Sequence, residues 1–117
     1  MEFSCLTWNT AKKTKYVYDQ VNLIHSYDPD IVALQEIIIS SEKKFKKLLS
    51  KNYPYIVSSF ELAPDMSVLT RKRMFGEIIA SKFPFKSENP KNFDIPWKER
   101  VLTVKITIKK KEVIFHT

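Results

Sequence analysis

The chain has 117 residues, the length of one small domain, and its 44% hydrophobic and 13% aromatic content supplies a core, which excludes a disordered chain. Lys plus Arg number 20 against 13 Asp plus Glu, a formal net charge of +7. That balance favours polyanionic partners such as nucleic acid, anionic headgroups or phosphorylated metabolites, although a solubility charge on a lysine-rich chain reads the same way.

The single cysteine, Cys5, excludes an internal disulfide and fits a reducing compartment. No apolar run approaches the roughly 20 residues of a membrane-spanning helix. The first ten residues, "MEFSCLTWNT", lack the pattern of a signal peptide, so a cytoplasmic location is the expectation.

In chain order, residues 2–8 read as a strand covered on both faces, with Phe3 and Cys5 on one side and Leu6 and Trp8 on the other. Residues 14–27 read as a helix, because Val17, Val21 and Ile24 recur at helical spacing while Lys15, Asp19 and Asn22 fall toward water. "DPD" at 28–30 ends it. A second strand covers 31–35. Ser40 or Ser41 is placed to cap a second helix, in which Phe45, Leu48 and Leu49 face inward and Lys43, Lys44, Lys46 and Lys47 form a solvated face.

Residues 53–60, 66–72, 76–83 and 100–108 read as further strands, and "KKKE" turns the chain into a last strand over 113–117. The only glycine is Gly76, which excludes a glycine-rich phosphate loop. The order predicts a single α/β domain whose first two strands are parallel.

That pairing brings two side chains together. Asn9 and Glu36, 27 positions apart, would both lie just past the carboxyl ends of their strands, where open α/β sheets bind ligands. Glu36 offers hard carboxylate oxygens and Asn9 an amide oxygen. Mg²⁺ keeps several waters, so one or two carboxylates suffice to hold it. A salt-bridged or solvated strand end remains open for Glu36, and a turn residue bonded to nearby backbone for Asn9. Arg100 and His116 form a second pair. A hairpin at "KKK" sets His116 opposite Thr103 or Val104, roughly 10–13 Å along the strand from Arg100. Arginine clamps phosphate and histidine moves protons near neutral pH; a surface arginine beside a surface histidine is the plainer reading. His25 reads as a partly buried packing or surface histidine and not a ligand, Trp8 as a core residue, Cys5 as a small core residue, Trp97 as a surface or interface residue, and Arg71 to Arg73 as a solvated turn.

The residues "LTWNT", "DPDIVALQE", "GEIIASKFP", "ERVLTVKI" and "VIFHT" stand in an order that resembles the endonuclease/exonuclease/phosphatase superfamily. The resemblance spans about residues 3–117, and "PDIVALQE" is its strongest element. It implies a mixed β-sheet with helices on one face, one half of a four-layer α/β/β/α sandwich. It implies a Mg²⁺-dependent phosphoesterase, with Mn²⁺ as the alternative ion, acting on phosphodiesters. By the same resemblance Glu36 holds the metal, Asn9 helps hold metal or phosphate, Arg100 contacts phosphate, and His116 contacts phosphate or supports proton transfer. The charge leans the substrate toward nucleic acid over lipid or sugar phosphate. The family's Asp-x-Asn and terminal Asp-His motifs have no match in this sequence. A truncated half, a split enzyme completed by a partner and a degenerate stand-alone domain each fit; truncation is the expectation, with the chain inactive alone and an apolar sheet face left bare for a second half-domain or for self-association. The alternative is a non-catalytic basic module for nucleic acid or a protein partner, reached through Lys43 to Lys47 and Lys109 to Lys111.

Overall fold

A computed structural model describes residues 2–62, 75–89, 94 and 100–117. In chain order the elements are β1 (Cys5–Asn9), α1 (Val17–Tyr27), β2 (Ile31–Ile38), a 3-10 turn (Ile39–Ser41), α2 (Glu42–Leu49), β3 (Tyr55–Ser58), α3 (Ser59–Leu62), β4 (Phe75–Ser81), β5 (Phe85–Ser87), β6 (Thr103–Ile108) and β7 (Lys111–His116). The expected strand at 66–72, the Arg71 to Arg73 turn and Trp97 lie outside the described residues.

Two sheets form. The first has the order β1-β2-β4-β3, with β1 and β2 parallel and the other pairs antiparallel. The second is an antiparallel meander, β5-β6-β7. Strand period assigns the layers. Val32, Leu34, Ile37, Ile78 and Ala80 point from the first sheet to α1 and α2, where Val17, Val21, Ile24, Phe45 and Leu49 meet them. Tyr53 is fully buried there, and its hydroxyl donates to the Pro29 carbonyl at 2.8 Å, which fixes the turn between α1 and β2. The opposite face, with Ile31, Ala33, Val57 and Ile79, packs on Leu102, Val104, Ile106 and Ile108 of the second sheet.

This second core corrects the expectation of a bare apolar sheet face. The chain covers that face with its own β6. Where the cover stops, at β1, the face turns polar: Cys5, Thr7 and Asn9 are exposed there. Cys5 is thus a surface residue and not a core one, and β1 is only half covered. The outer face of the second sheet carries Lys86, Lys105, Thr107 and Glu112.

Smaller differences have local causes. Helix α1 begins at Val17 because Ala11 and Lys12 adopt left-handed backbone (φ 54° and 59°), so the chain is still turning there. Ser41 precedes α2 without a side-chain cap, since its hydroxyl donates back to the Ile38 carbonyl at 3.0 Å. The last hairpin is tighter than expected. Ile108 pairs with Lys111, so Lys109 and Lys110 alone make the turn, both at positive φ (48° and 66°), as a two-residue turn matched to strand twist requires. His116 falls opposite Thr103, as the hairpin register predicts. His25 is held as a packing residue: its ring stacks on Tyr53 and lies 3.2 Å from the Leu48 carbonyl. No helix among the described residues is long and apolar enough to cross a membrane.

Intersheet packing within one chain has a measurable signature. Ile106→Ala, at a fully buried position of the second core, is expected to lower unfolding stability by about 2–5 kcal/mol in urea denaturation. Ile114→Ala, on the exposed side of β7, is expected to change it by less than about 0.5 kcal/mol. Equal effects would contradict a second sheet seated on the first.

Candidate functional site

The site grows from an irregularity in β2. Leu34 pairs with Ile78 and Ile37 pairs with Gly76, so two residues, Gln35 and Glu36, stand opposite the single residue Glu77. This is a β-bulge. Leu34 and Ile37 both belong to the helix-side core, which regular alternation over three residues would forbid. The extra residue resolves the conflict, and it also decides where Glu36 goes. In a regular strand Glu36 would share a face with Leu34 and point into the helix-side core. At the bulge it escapes that core, half-buried, at φ 55°. Glu36 is thus inside β2, not just past its end as the sequence suggests.

Left-handed backbone at a non-glycine residue costs on the order of 1–2 kcal/mol, so something must hold it. The loop after β1 does. The Thr10 amide donates to the Gln35 carbonyl at 2.9 Å, and the Thr10 hydroxyl lies 3.0 Å from that carbonyl and 3.1 Å from the carbonyl of Glu36. The Lys12 amide donates to the Glu36 carbonyl at 3.2 Å. Asn9 shapes this loop: its Oδ1 accepts from the Ala11 amide at 2.8 Å, the turn role the sequence left open. Asn9 lies beside Gln35 in the parallel register, so the ends of β1 and the bulge are neighbours.

Around the bulge gather groups that the sequence did not single out. Gln35 Nε2 donates to the Thr7 hydroxyl at 2.9 Å and to the Thr117 hydroxyl at 2.8 Å, tying β1, β2 and the end of the second sheet together. Glu77 is buried; its amide donates to Ser59 Oγ at 2.9 Å. Thr117 donates to one side of the Glu77 carboxylate, while Oε2 has no hydrogen-bond partner among the described residues. Burial first, and then the Glu36 carboxylate, push the Glu77 carboxyl up to about 7, with Thr117 and the Arg100 guanidinium pulling the other way. Arg100 stacks over the Phe75 ring at 4.0 Å, and Lys12 Nζ lies 4.3 Å from the same ring. One aromatic ring at the start of β4 thus holds two cations, and one of them, Arg100, acts on Glu77.

Of the four residues expected from sequence, Glu36 and Arg100 both act on Glu77, and Asn9 sits one loop away. His116 is turned differently. Phe115 packs into the second core and Thr117 reaches Gln35, so His116 between them faces outward, with Nδ1 2.8 Å from Thr103 Oγ1. The signals for the missed residues were weak. Glu77 reads as one polar residue at a strand start, and its burial follows from a bulge on another strand. Among the described residues no cluster of three or more His, Cys, Asp or Glu is placed to hold a metal.

Comparison with known proteins fits this architecture. The model of the Endonuclease/Exonuclease/phosphatase family matches residues 6–117. Among solved structures, an endonuclease/exonuclease/phosphatase from Beutenbergia cavernae is similar with a TM-score of 0.65 at 16% identity, over 98% of this chain and 37% of that one. D. rerio TDP2, humanized by 14 mutations, gives 0.62 at 18% identity, over 97% and 45%. D. rerio TDP2 complexed with single strand DNA product gives 0.61 at 17% identity, over 97% and 44%. The chain therefore spans less than half the length of these structures. No curated protein sequence matches.

The Glu77 environment predicts a pH-dependent stability. Its carboxyl binds a proton more tightly in the folded chain, at about 7, than at its ordinary value of 4.5. Stability is then fully present below about 4.5 and is lost as pH rises through about 7, at up to about 1.4 kcal/mol per pH unit. Urea denaturation in chelator between pH 5 and 8 is expected to show this decline, and Glu77→Gln to flatten it. Parallel profiles for the two proteins would contradict the burial of this group.

Proposed function

We propose, for a chain that belongs to the endonuclease/exonuclease/phosphatase family, that it supplies the glutamate-bearing half of a divalent-metal-dependent phosphodiesterase acting on nucleic acid. The observation that carries this reading is the bulge in β2, which frees Glu36 from the helix-side core and sets it beside Glu77, a carboxylate that the Arg100 guanidinium also reaches. Bulges are over-represented next to active sites, where they re-aim a side chain.

The donor set suits the ion. Carboxylate and amide oxygens at Glu36 and Asn9 are the hard ligands Mg²⁺ takes, with Mn²⁺ close behind, and few protein ligands are needed. When bound there, such an ion supplies Lewis-acid polarisation of a phosphoryl oxygen and offsets the charge that builds in the displacement. Arg100 and Lys12 would orient the phosphate. Both are preset by the Phe75 ring, so less freedom is lost when the anion arrives. His116, which faces outward beside Thr103, is given no part in the chemistry of this cluster. The +7 charge favours a polyanion, and one structural neighbour was seen with single strand DNA product; nucleic acid is the substrate class we assign. The sequence contains neither the Asp-x-Asn nor the Asp-His motif expected to position and activate the attacking water, so the 117 residues are expected to bind without turning over.

The test separates this reading from a basic binding module. A single-stranded oligonucleotide is titrated against the chain with and without Mg²⁺, at several salt concentrations. Strengthening of at least about tenfold by Mg²⁺, lost in Glu36→Gln, is expected, together with negligible hydrolysis of bis-p-nitrophenyl phosphate. A steep salt slope unaffected by metal or by Glu36→Gln would overturn the metal-dependent reading in favour of simple charge attraction. Robust hydrolysis lost in Glu36→Gln would overturn the incompleteness of the site.

A further inference from the structure

We propose that Glu77 is a second carboxylate ligand of the cation held by Glu36, so that the bulge in β2 builds a two-carboxylate site across β2 and β4; this rests on the metal-dependent reading above. The first argument is register. Glu77 is the one residue opposite the doubled pair Gln35 and Glu36. The neighbours on either side, Leu34, Ile37 and Ile78, all face the helix-side core, so the doubled pair and Glu77 share the other face. Two acidic side chains brought to one face of adjacent strands repel each other, and a regular strand would have separated them.

The second argument is an unmet need. Glu77 is 8% exposed, and Oε2 has no hydrogen-bond partner among the described residues. A buried carboxylate oxygen left unpaired is costly, and the cost is met by a cation or by a donor. The donors nearby are spoken for in part: Thr117 serves the carboxylate while also accepting from Gln35. Arg100 reaches the group electrostatically but stands over Phe75. A divalent ion between Glu36 and Glu77 would satisfy Oε2 and cancel the repulsion at once. With two protein carboxylates in place, the remaining positions of an octahedral shell would go to Asn9, water or substrate phosphate.

The test reads metal binding without turnover. Free Mn²⁺ is counted by electron paramagnetic resonance during titration of the wild type, Glu36→Gln, Glu77→Gln and the exposed control Glu112→Gln. At least tenfold weaker binding in both Glu36→Gln and Glu77→Gln, with Glu112→Gln unchanged, is the expected result. Wild-type affinity in Glu77→Gln with loss in Glu36→Gln would overturn the second ligand and leave the metal-dependent reading standing. Absence of Mn²⁺ binding by the wild type at millimolar concentration would overturn both. A second measurement needs no variant: Mn²⁺ broadening of amide resonances is expected first at Glu36 and at Gly76 to Ile78, and broadening confined to β1 and β2 would overturn the role of Glu77.

Discussion

Alternation in β2 is the constraint from which the rest of this molecule follows. The strand must feed the helix-side core with Val32, Leu34 and Ile37 and the intersheet core with Ile31 and Ala33. A strand buried on both faces offers no place for a carboxylate. The bulge supplies one by spending a residue, and the loop after β1 pays the conformational cost through Thr10 and Lys12. Fold and site therefore share parts. The Thr10 and Lys12 bonds that hold the strained turn also position Lys12 against Phe75, and Gln35 joins both sheets through Thr7 and Thr117.

Coverage of the first sheet is the other organising fact. Three aliphatic side chains from one face of β6, and Leu102 just before it, meet the first sheet, and the opposite face of that strand is polar. The cover reaches β2, β3 and β4 and fails at β1. There the residues turn to Thr7 and Asn9, and the polar network of the site begins. The boundary between dry and wet face thus runs close to the bulge. That location combines a low-dielectric wall, which strengthens charge interactions, with access for a charged ligand.

Much of this was readable from the chain. Helical spacing at Val17, Val21 and Ile24, the parallel pairing of the first two strands and the Thr103–His116 register all follow from period and turn chemistry. What was hidden depended on partners far apart in sequence. The tyrosine hydroxyl that pins Pro29 and the threonine that locks the bulge have ordinary local surroundings. The doubled residues in β2 are invisible to a scan of alternation, because Leu34 and Ile37 look apolar in either register. The burial of Glu77 depends on that same bulge, so it was missed for the same reason. Cys5 was misjudged because a short apolar strand does not announce which of its faces a second sheet will reach.

The hairpin tip at Lys109 and Lys110 has a consequence of a different kind. Two side chains without glycine's tolerance occupy left-handed backbone there, next to a third lysine at 111. Such a tip is poor at nucleating its own ribbon, and three neighbouring ammonium groups make it poorer at low ionic strength. Docking of β6 on the first sheet would then have to precede or accompany zipping of β6 to β7, making assembly of the second layer a long-range event driven from the core, and one that salt should hasten.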